Sequence, residues 1–285
     1  MKILGVKLRK WDRLLFKSFS NLLSSIVGVV AFVFLFWAPS TCPQRCWTVG
    51  IVALIIFIAF VWHWVRISNR KSAIIKVGKM KVSVGVGDIW KAEGLKVIAW
   101  NEFFDTQVDD KIIAKRSLHG KYITDYESDI DALDNDIAGD SSLVDKIIEK
   151  GVMRPRGGKT TRYKLGSIFV RGDFLMLAFT KFDDTNRAYL TLSAYVDCLA
   201  SFWRELNTIY SMRSITIPLM GSGITRFVDS AGQTMPEQSL LRMMLWTLWQ
   251  SNCKFVVPCR ISIVLTEEAL DKIDLLALEY SLMED

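Results

Sequence analysis

The stretch Ile215-Thr216-Ile217-Pro218-Leu219-Met220-Gly221-Ser222-Gly223-Ile224-Thr225-Arg226-Phe227 decides how the rest of the chain is interpreted. Its β-branched start predicts a strand that ends at Pro218, and its Gly-Ser-Gly sequence predicts a turn. Consecutive backbone N–H groups in such a turn form a concave site for an anion. The loop is therefore suited to a diphosphate, although an ordinary strand-to-helix turn has the same sequence pattern.

Charge is distributed unevenly along the 285 residues. Residues 1–81 hold 13 of the 36 basic residues and a single acidic one, Asp12, which gives this segment a net charge of +12. Residues 82–285 carry −6. An acidic domain is poorly suited to DNA or RNA, because nucleic acids are bound by clustered Lys and Arg. The basic charge therefore has another explanation, in a membrane.

Two apolar segments, Leu22–Ala38 and Thr48–Val65, are each about long enough to cross the hydrocarbon core as a helix. Their short connection, Pro39–Trp47, predicts a two-helix transmembrane hairpin over residues 22–65. Basic residues flank the hairpin on both outer sides, and only Arg45 lies between the spans. The positive-inside rule then places both termini in the cytoplasm, with the hairpin in the cell inner membrane.

The hairpin divides the chain into predicted segments. Residues 1–21 form a basic cytoplasmic segment, which is either an interfacial helix or a disordered tail. Residues 66–81 form a basic stalk and the start of the first strand, and residues 82–285 form one cytoplasmic ligand-binding domain. Cys42 and Cys46 in the outer loop either form a disulfide or remain free thiols.

Strands alternate with helices along the cytoplasmic domain, which predicts an α/β fold with a mixed β-sheet flanked by helices. The predicted strands are Lys76–Gly87, Leu95–Trp100, Ile215–Pro218 and Phe255–Leu265, with a hairpin that joins Tyr163–Val170 to Asp173–Thr180. The predicted helices are Ser141–Lys150, Thr191–Ser211, Pro236–Ser251 and Glu267–Glu279.

A polar and aromatic stretch, Asn101-Glu102-Phe103-Phe104-Asp105-Thr106, follows the predicted strand Leu95–Trp100. In open α/β sheets, ligands bind at the carboxyl ends of strands. The segment Ser117-Leu118-His119-Gly120-Lys121-Tyr122 predicts a second loop near it. His119 is the only histidine in the cytoplasmic domain, which argues against a His-rich metal site and against a Cys–His nucleophile.

This order of motifs resembles the macro domain, an ADP-ribose-binding module. Two membrane spans followed by Asn-Glu-Phe-Phe-Asp-Thr, Ser-Leu-His-Gly and Pro-Leu-Met-Gly-Ser-Gly-Ile resemble, more specifically, the membrane-anchored, ThsA-like macro-domain effectors of type II Thoeris anti-phage defence. The resemblance implies that a partner TIR-domain enzyme consumes NAD to make an ADP-ribose-derived signal, such as histidine-ADP-ribose. It further implies that the macro domain binds this signal, that a homo-oligomer forms, and that the hairpins disrupt the bilayer and kill the infected cell.

The resemblance also assigns roles to residues. The Gly-Ser-Gly loop wraps the diphosphate through its backbone N–H groups, and Arg226 either pairs with a phosphate or lies on the surface. Asn101 either binds the distal ribose or caps a turn, and Asp105 either accepts a hydrogen bond from the ligand or caps a turn. Phe103 or Phe104 either stacks on a ring of the ligand or belongs to the core. The predicted ligand-binding residues are Asn101, Glu102, Phe103, Phe104, Asp105, Ser117, His119, Gly120, Gly221, Ser222, Gly223, Ile224, Thr225 and Arg226.

The sequence departs from the macro-domain pattern at two places. Catalytic macro domains carry a run of glycines after the Asn-rich strand end, whereas Asp105–Ser117 contains no glycine. This disfavours hydrolysis of ADP-ribose conjugates, and the resemblance implies a ligand-gated effector without a cofactor. Adenine-binding members often have an Asp at the start of the first ligand strand, where this chain has Leu95 and Lys96. The alternatives are a membrane-tethered ADP-ribose-binding protein, a membrane-tethered ADP-ribosyl hydrolase or phosphatase, and a hairpin protein whose cytoplasmic domain binds another protein.

Overall fold

The structure is a computed structural model, and it describes residues 2–3, 6–7, 11–37, 39–223, 225–227, 234–253, 255 and 259–281. The chain forms two compact units. The first unit combines Met1–Ala73 with Leu275–Asp285, and the second is Ile74–Asp274.

The first unit contains two long apolar helices, α1 (Arg13–Phe36) and α2 (Cys42–Ser68). Both are long and apolar enough to cross a membrane. Each begins before the predicted span: Asp12 caps α1 by accepting a hydrogen bond from the Leu15 N–H at 2.9 Å, and a capping box at Thr41 starts α2. Polar caps therefore extend both helices beyond their apolar segments.

The described residues before α1 include two short strands, whereas an interfacial helix and a disordered tail were the two predicted alternatives. Strands β1 (Lys2–Ile3) and β2 (Val6–Lys7) pair antiparallel, so their backbone hydrogen-bonding groups are used between strands. Cys42 and Cys46 lie at the start of α2 as exposed free thiols, instead of in the predicted loop.

The carboxyl-terminal helix α9 (Leu275–Ser281) belongs to the first unit. The Arg70 guanidinium donates two hydrogen bonds to the Glu279 carboxylate, at 2.9 and 2.6 Å. The Lys17 ammonium lies 4.9 Å from the centre of the Tyr280 ring. An ion pair and a cation–π contact therefore join the end of the chain to the segments that flank the hairpin.

The second unit is built around one mixed sheet, as predicted. The strands that the described residues contribute lie in the order β12-β10-β9-β5-β11-β13-β4-β3, with β8 paired to β9. Five neighbours, β9, β5, β11, β13 and β4, run parallel, while β8 and β10 are antiparallel to β9. The strands are β3 (Ser72–Val77), β4 (Met80–Val86), β5 (Leu95–Asn101), β8 (Ile168–Arg171), β9 (Phe174–Phe182), β10 (Ala188–Leu190), β11 (Ile215–Pro218), β12 (Arg226–Phe227) and β13 (Ile261–Leu265).

Helices pack on this sheet through apolar faces. Helix α6 (Leu192–Ile209) buries Tyr195, Leu199 and Phe202, which recur at helical spacing. The indole N–H of Trp203 on α6 donates to the Thr247 hydroxyl on α7 at 3.0 Å, inside the core. The remaining helices of this unit are α3 (Leu118–Asp125), α4 (Ile130–Gly139), α5 (Ser141–Val144), α7 (Glu237–Gln250) and α8 (Glu267–Leu270).

Several predicted elements are wrong in extent. Lys76–Gly87 is not one strand, because Gly78 adopts φ +57° in a turn between β3 and β4. Ser141–Lys150 is not one helix, because β6 (Ile147–Glu149) leaves α5 to pair with β7 (Arg162–Tyr163). The segment Ser117–Tyr122 is not a loop, since Ser117 caps α3.

The last predicted helix, Glu267–Glu279, is divided into α8 and α9. The Asp274 N–H donates to the Gln238 side chain at 2.7 Å, so a contact with α7 replaces the helical hydrogen bond there. The predicted strand Phe255–Leu265 is a strand from Ile261 onward, and residues 256–258 lie outside the described residues.

We expect Glu279→Arg to loosen α9, because it places two guanidinium groups together where the wild-type chain has a two-pronged ion pair. The loss is about 1 kcal/mol, since both side chains are partly exposed. Hydrogen exchange of residues 275–281 in the detergent-solubilised full-length protein should become faster. The double exchange with Arg70→Glu is the matched control and should restore protection. Unchanged exchange in the single variant would contradict the role of this pair.

Candidate ligand-binding cleft

A cleft of about 670 Å³ lies along one edge of the sheet in the second unit. Each of the five parallel strands ends at this edge, because parallel neighbours present their carboxyl ends together. The ends of β4, β13, β11, β5 and β9 therefore follow one another along the cleft. They span roughly 19 Å, since neighbouring strands lie about 4.8 Å apart.

The Gly-Ser-Gly loop follows β11 and lines the middle of the cleft. Gly221 adopts φ +84°, and a Cβ there would lie 3.3 Å from Leu240 and 3.5 Å from Phe227. A side chain at Gly221 would thus be strained and crowded. At Gly223, no atom of the described residues lies within 4 Å of the corresponding position. The loop is closely packed against the core at its first glycine and open at its second.

The backbone of this loop offers hydrogen-bond donors. Within the part of the chain that the structure describes, the N–H groups of Gly221 and Gly223 have no hydrogen-bond partner, and the Ser222 N–H has only a long bond of 3.4 Å to the Leu219 carbonyl. The Ser222 hydroxyl donates to the same carbonyl at 2.7 Å. Unpaired N–H groups in a glycine turn are typical of a phosphate site. Ile224 lies outside the described residues.

Asn101 ends β5 and lines the cleft next to the loop, but its side chain also holds a turn. Its Oδ1 accepts hydrogen bonds from the N–H groups of Phe103 and Asp105, at 3.0 and 3.3 Å. Its Nδ2 donates to the Asp105 carboxylate at 3.0 Å. Asn101 therefore caps the strand end and, at the same time, forms part of the cleft wall.

Phe103 and Phe104 belong to the core and not to the cleft wall. The Phe104 ring is fully buried, and it packs against Trp100 and Tyr163 with ring centres 6.1 and 5.2 Å apart. The Phe103 ring is buried beneath the Arg154 guanidinium, 4.2 Å from the ring centre. Neither ring is available to stack on a ligand in this arrangement.

Glu102 also lies outside the cleft wall, buried at the end of β5. Its carboxylate accepts a long hydrogen bond from the Phe182 N–H, at 3.4 Å. Burial raises the pKa of Glu102 above its usual value.

A buried ion pair between Arg154 and Asp105 holds the Asn101 side chain on the side away from the cleft. The sequence analysis did not predict this pair. The Asp105 carboxylate accepts hydrogen bonds from Arg154 Nη1 at 2.7 and 2.9 Å and from the Lys159 N–H at 2.7 Å. Arg154 Nη2 also donates to Asn186 at 2.7 Å. Burial raises the pKa of Asp105, and the adjacent Arg154 opposes this rise. Arg154 lies in an irregular segment far along the chain, so no periodic pattern identified it.

The start of α3 forms another wall of the cleft. The Ser117 hydroxyl accepts a hydrogen bond from the Gly120 N–H at 2.9 Å and caps the helix. Gly120 lies behind the wall, where a Cβ would come within 2.3 Å of the Ala114 carbonyl oxygen. Gly120 is therefore required for close backbone packing and does not line the cleft.

His119 lines the cleft as a neutral side chain. Burial lowers its pKa to about 3. Its ring packs against Trp100 at an interplanar angle of 31° with ring centres 3.7 Å apart, and its Nε2 lies 2.9 Å from the Asp105 carbonyl oxygen. A carbonyl can only accept, so Nε2 carries the proton and donates it. His119 is thus both a structural residue and part of the wall.

Half of the predicted residues come together in the cleft. The residues that line it are Asn101, Ser117, His119, Gly221, Ser222, Gly223 and Thr225. Those placed elsewhere are Glu102, Phe103, Phe104, Asp105, Gly120 and Arg226, of which Arg226 is exposed on the edge strand β12. Sequence order alone could not separate the two groups, because it does not show which residues of a turn face the core.

The cleft has a further wall that sequence reasoning did not assign to a ligand. Gly87, Asp88 and Trp90 follow β4, and Asp88 accepts a hydrogen bond from the Trp90 N–H at 3.1 Å. Leu95 and Lys96, where an acidic residue was sought, lie at the amino end of β5, away from the cleft. Through that hydrogen bond, Asp88 caps the short 3-10 helix Ile89–Lys91.

The segment after β13 completes this wall with Thr266, Glu268 and Lys272. The Lys272 ammonium forms an ion pair with Glu237 at 2.6 Å. No group of three or more His, Cys, Asp or Glu side chains that could hold a metal ion was found among the residues that the structure describes.

Comparison with known proteins gives consistent results. The family model "Thoeris protein ThsA, Macro domain" matches residues 82–266. The Thoeris protein ThsA of Bacillus amyloliquefaciens (strain Y2) is 44% identical over 230 residues, which cover 79% of this chain and 74% of that protein.

Solved structures of the Oceanobacillus iheyensis macrodomain are also similar. Its structure with ADP is 12% identical, with a TM-score of 0.45, and the match covers 75% of this chain and 95% of that one. A mutant of the same macrodomain is 13% identical, with a TM-score of 0.48 and the same coverage of both chains.

We expect Arg154→Met to lower stability by about 3–5 kcal/mol at pH 8, because it leaves the Asp105 carboxylate buried without its partner. Losing Arg154 raises the folded-state pKa of Asp105 further above its unfolded value. Asp105 therefore binds a proton more readily in the folded variant than in the unfolded chain. The loss of stability relative to the wild type becomes smaller as the pH falls. Thermal unfolding of the wild type and of Arg154→Met, as full-length proteins in detergent between pH 8 and pH 5, measures this difference in stability.

The matched control for this prediction is Arg156→Met, which removes an exposed arginine from the same segment. It should leave the unfolding temperature nearly unchanged at every pH. A deficit in Arg154→Met that is the same at pH 5 and pH 8 would show that Asp105 is not the group left unpaired.

Proposed function

This chain belongs to the family of the Thoeris protein ThsA macro domain, and on that premise we propose that it is an anti-phage effector gated by an ADP-ribose-derived signal. Family membership makes it a Thoeris protein with a macro domain for an ADP-ribose-type ligand. The identity of the signal and its consequences in the membrane are the proposed parts.

The observation that carries the proposal is the set of free backbone donors in the Gly-Ser-Gly loop. The N–H groups of Gly221 and Gly223 lack partners within the described residues, and Gly223 leaves open space beside them. A diphosphate oxygen is an acceptor of high charge, so each N–H can form a charge-assisted hydrogen bond with it. The diphosphate is therefore proposed to lie on this loop, in the middle of the cleft.

The two sides of the cleft suit the two ends of such a ligand. Asp88, at the end of β4, has an exposed carboxylate that can accept a hydrogen bond from the exocyclic amine of a purine. Asn101, Ser117 and His119 lie on the opposite side of the loop, where the distal ribose and its terminal group are proposed to bind. The roughly 19 Å spanned by the five strand ends suits a ligand with a nucleoside at one end and a second sugar at the other.

The site is proposed to bind its ligand without catalysing a reaction of that ligand. His119 is neutral and its Nε2 proton is used by the Asp105 carbonyl, so Nε2 is not a free general base. Asp105 is committed to Arg154 and Asn101. Release of ADP-ribose from a modified protein by the pure chain would support the alternative of an ADP-ribosyl hydrolase instead.

In the proposed mechanism, a partner TIR-domain enzyme makes histidine-ADP-ribose or a related compound from NAD. Binding then favours an oligomer whose α1–α2 hairpins disrupt the inner membrane. Inverting a 1:99 equilibrium between two assembly states requires about 5.5 kcal/mol of differential affinity. Several phosphate and ribose contacts in each copy of an oligomer are sufficient for this. The basic flanks of the hairpin support cytoplasmic placement of both termini.

We expect Gly223→Glu to weaken ADP-ribose binding by about 100-fold or more, because a carboxylate would occupy the open space beside the diphosphate and repel it. Isothermal titration of the full-length protein in detergent measures the affinity. Gly139→Glu adds the same charge at an open glycine on α4, away from the cleft, and should bind like the wild type. Equal affinities of Gly223→Glu and the wild type would contradict the proposed site.

We expect the full-length protein in dye-filled vesicles to release dye only when histidine-ADP-ribose reaches the macro domain. The physical reason is that ligand binding must shift an assembly equilibrium before the apolar hairpins act on the bilayer. Dye release measured by fluorescence should be absent for Gly223→Glu and normal for Gly139→Glu. Release that is independent of the ligand would contradict ligand gating.

A further inference from the structure

We propose that Tyr195 is a positioning residue for the ligand, which holds the Gly-Ser-Gly loop with its first N–H directed toward the cleft. This inference rests on the proposed function, because it names the group that prepares the same site. Tyr195 lies on α6 and is fully buried, so it does not touch the ligand itself.

The Tyr195 hydroxyl contacts two backbone carbonyl oxygens. It lies 3.1 Å from the Met220 carbonyl, directly before Gly221, and 3.4 Å from the Leu240 carbonyl at the start of α7. Carbonyl oxygens only accept, so the hydroxyl is the donor and its single proton serves mainly the nearer Met220. Burial raises the pKa of Tyr195, which keeps this donor protonated.

The orientation of the Met220 carbonyl fixes that of the Gly221 N–H. Both groups belong to one planar peptide unit, and in a trans peptide they point in opposite directions. Because the Met220 carbonyl is held toward Tyr195 in the core, the Gly221 N–H is directed away from Tyr195. This N–H has no partner among the described residues. One side-chain hydrogen bond thus prepares the donor that we assign to the diphosphate.

Packing restricts the same peptide from the side. A Cβ on Gly221 would lie 3.5 Å from the Tyr195 ring, and that ring packs edge-on against Phe227 and Phe179 with centres 5.5 and 5.8 Å apart. These contacts restrict how closely the loop approaches the core. They do not fix rotation of the peptide plane, because they are apolar. The hydroxyl is therefore the part of Tyr195 that sets the direction of the N–H.

The test is Tyr195→Phe in the full-length protein in detergent, which removes the hydroxyl and keeps the ring contacts. Without the hydrogen bond, the peptide before Gly221 samples other orientations. We expect faster hydrogen exchange of residues 219–223 in the ligand-free protein and unchanged exchange of residues 95–101 in β5. The dissociation constant for ADP-ribose should rise about 3- to 10-fold. Tyr163→Phe is the matched control, since Tyr163 is buried outside the cleft wall.

The outcomes separate this inference from the proposed function. Faster exchange confined to residues 219–223 supports the inference, whether or not the wild type binds ADP-ribose. Failure of the wild type to bind ADP-ribose or histidine-ADP-ribose would instead overturn the proposed ligand. Unchanged exchange of the loop, or an equal increase in β5, would overturn the inference, because Tyr195 would then have no role or only a general structural one. If the wild type binds ADP-ribose, an unchanged affinity of Tyr195→Phe for ADP-ribose would also overturn the inference.

Discussion

Parallel pairing of five neighbouring strands is the constraint on which the rest of the second unit depends. Because β9, β5, β11, β13 and β4 run in one direction, all five end at the same edge of the sheet. Segments that are distant in sequence therefore meet there, and their first residues after the strands become the walls of one cleft. The position of the glycine loop in the middle of the cleft follows from the central place of β11 in the sheet.

The cleft is supported by buried polar side chains that do not line it. Arg154 and Asp105 form a buried pair that holds Asn101 through its side chain and His119 through the Asp105 carbonyl. Tyr195 holds the peptide before Gly221 on the other side. Each of these groups satisfies a buried polar atom, and each thereby fixes the direction of a neighbour that faces the cleft. A rigid arrangement of this kind reduces the conformational entropy that the cleft residues lose when a ligand binds.

The sequence was sufficient for the fold class and for the glycine loop, because both depend on local patterns. Apolar helices, β-branched strands and a Gly-Ser-Gly turn are recognisable without neighbours. It was insufficient for the turn after β5, where Asn101 lines the cleft and Phe104 enters the core. It also missed Arg154, which reaches Asp105 from 49 residues away. In each case the side chain's direction is set by tertiary contacts, which a linear pattern does not contain.

The proposed function depends on a diphosphate that binds to the backbone N–H groups of the Gly-Ser-Gly loop. An experimental structure of the full-length protein with bound ADP-ribose tests this most directly. We expect diphosphate oxygens within about 3.2 Å of the backbone nitrogens of Gly221 and Gly223. A diphosphate bound elsewhere on the domain, with these nitrogens facing solvent, would contradict it.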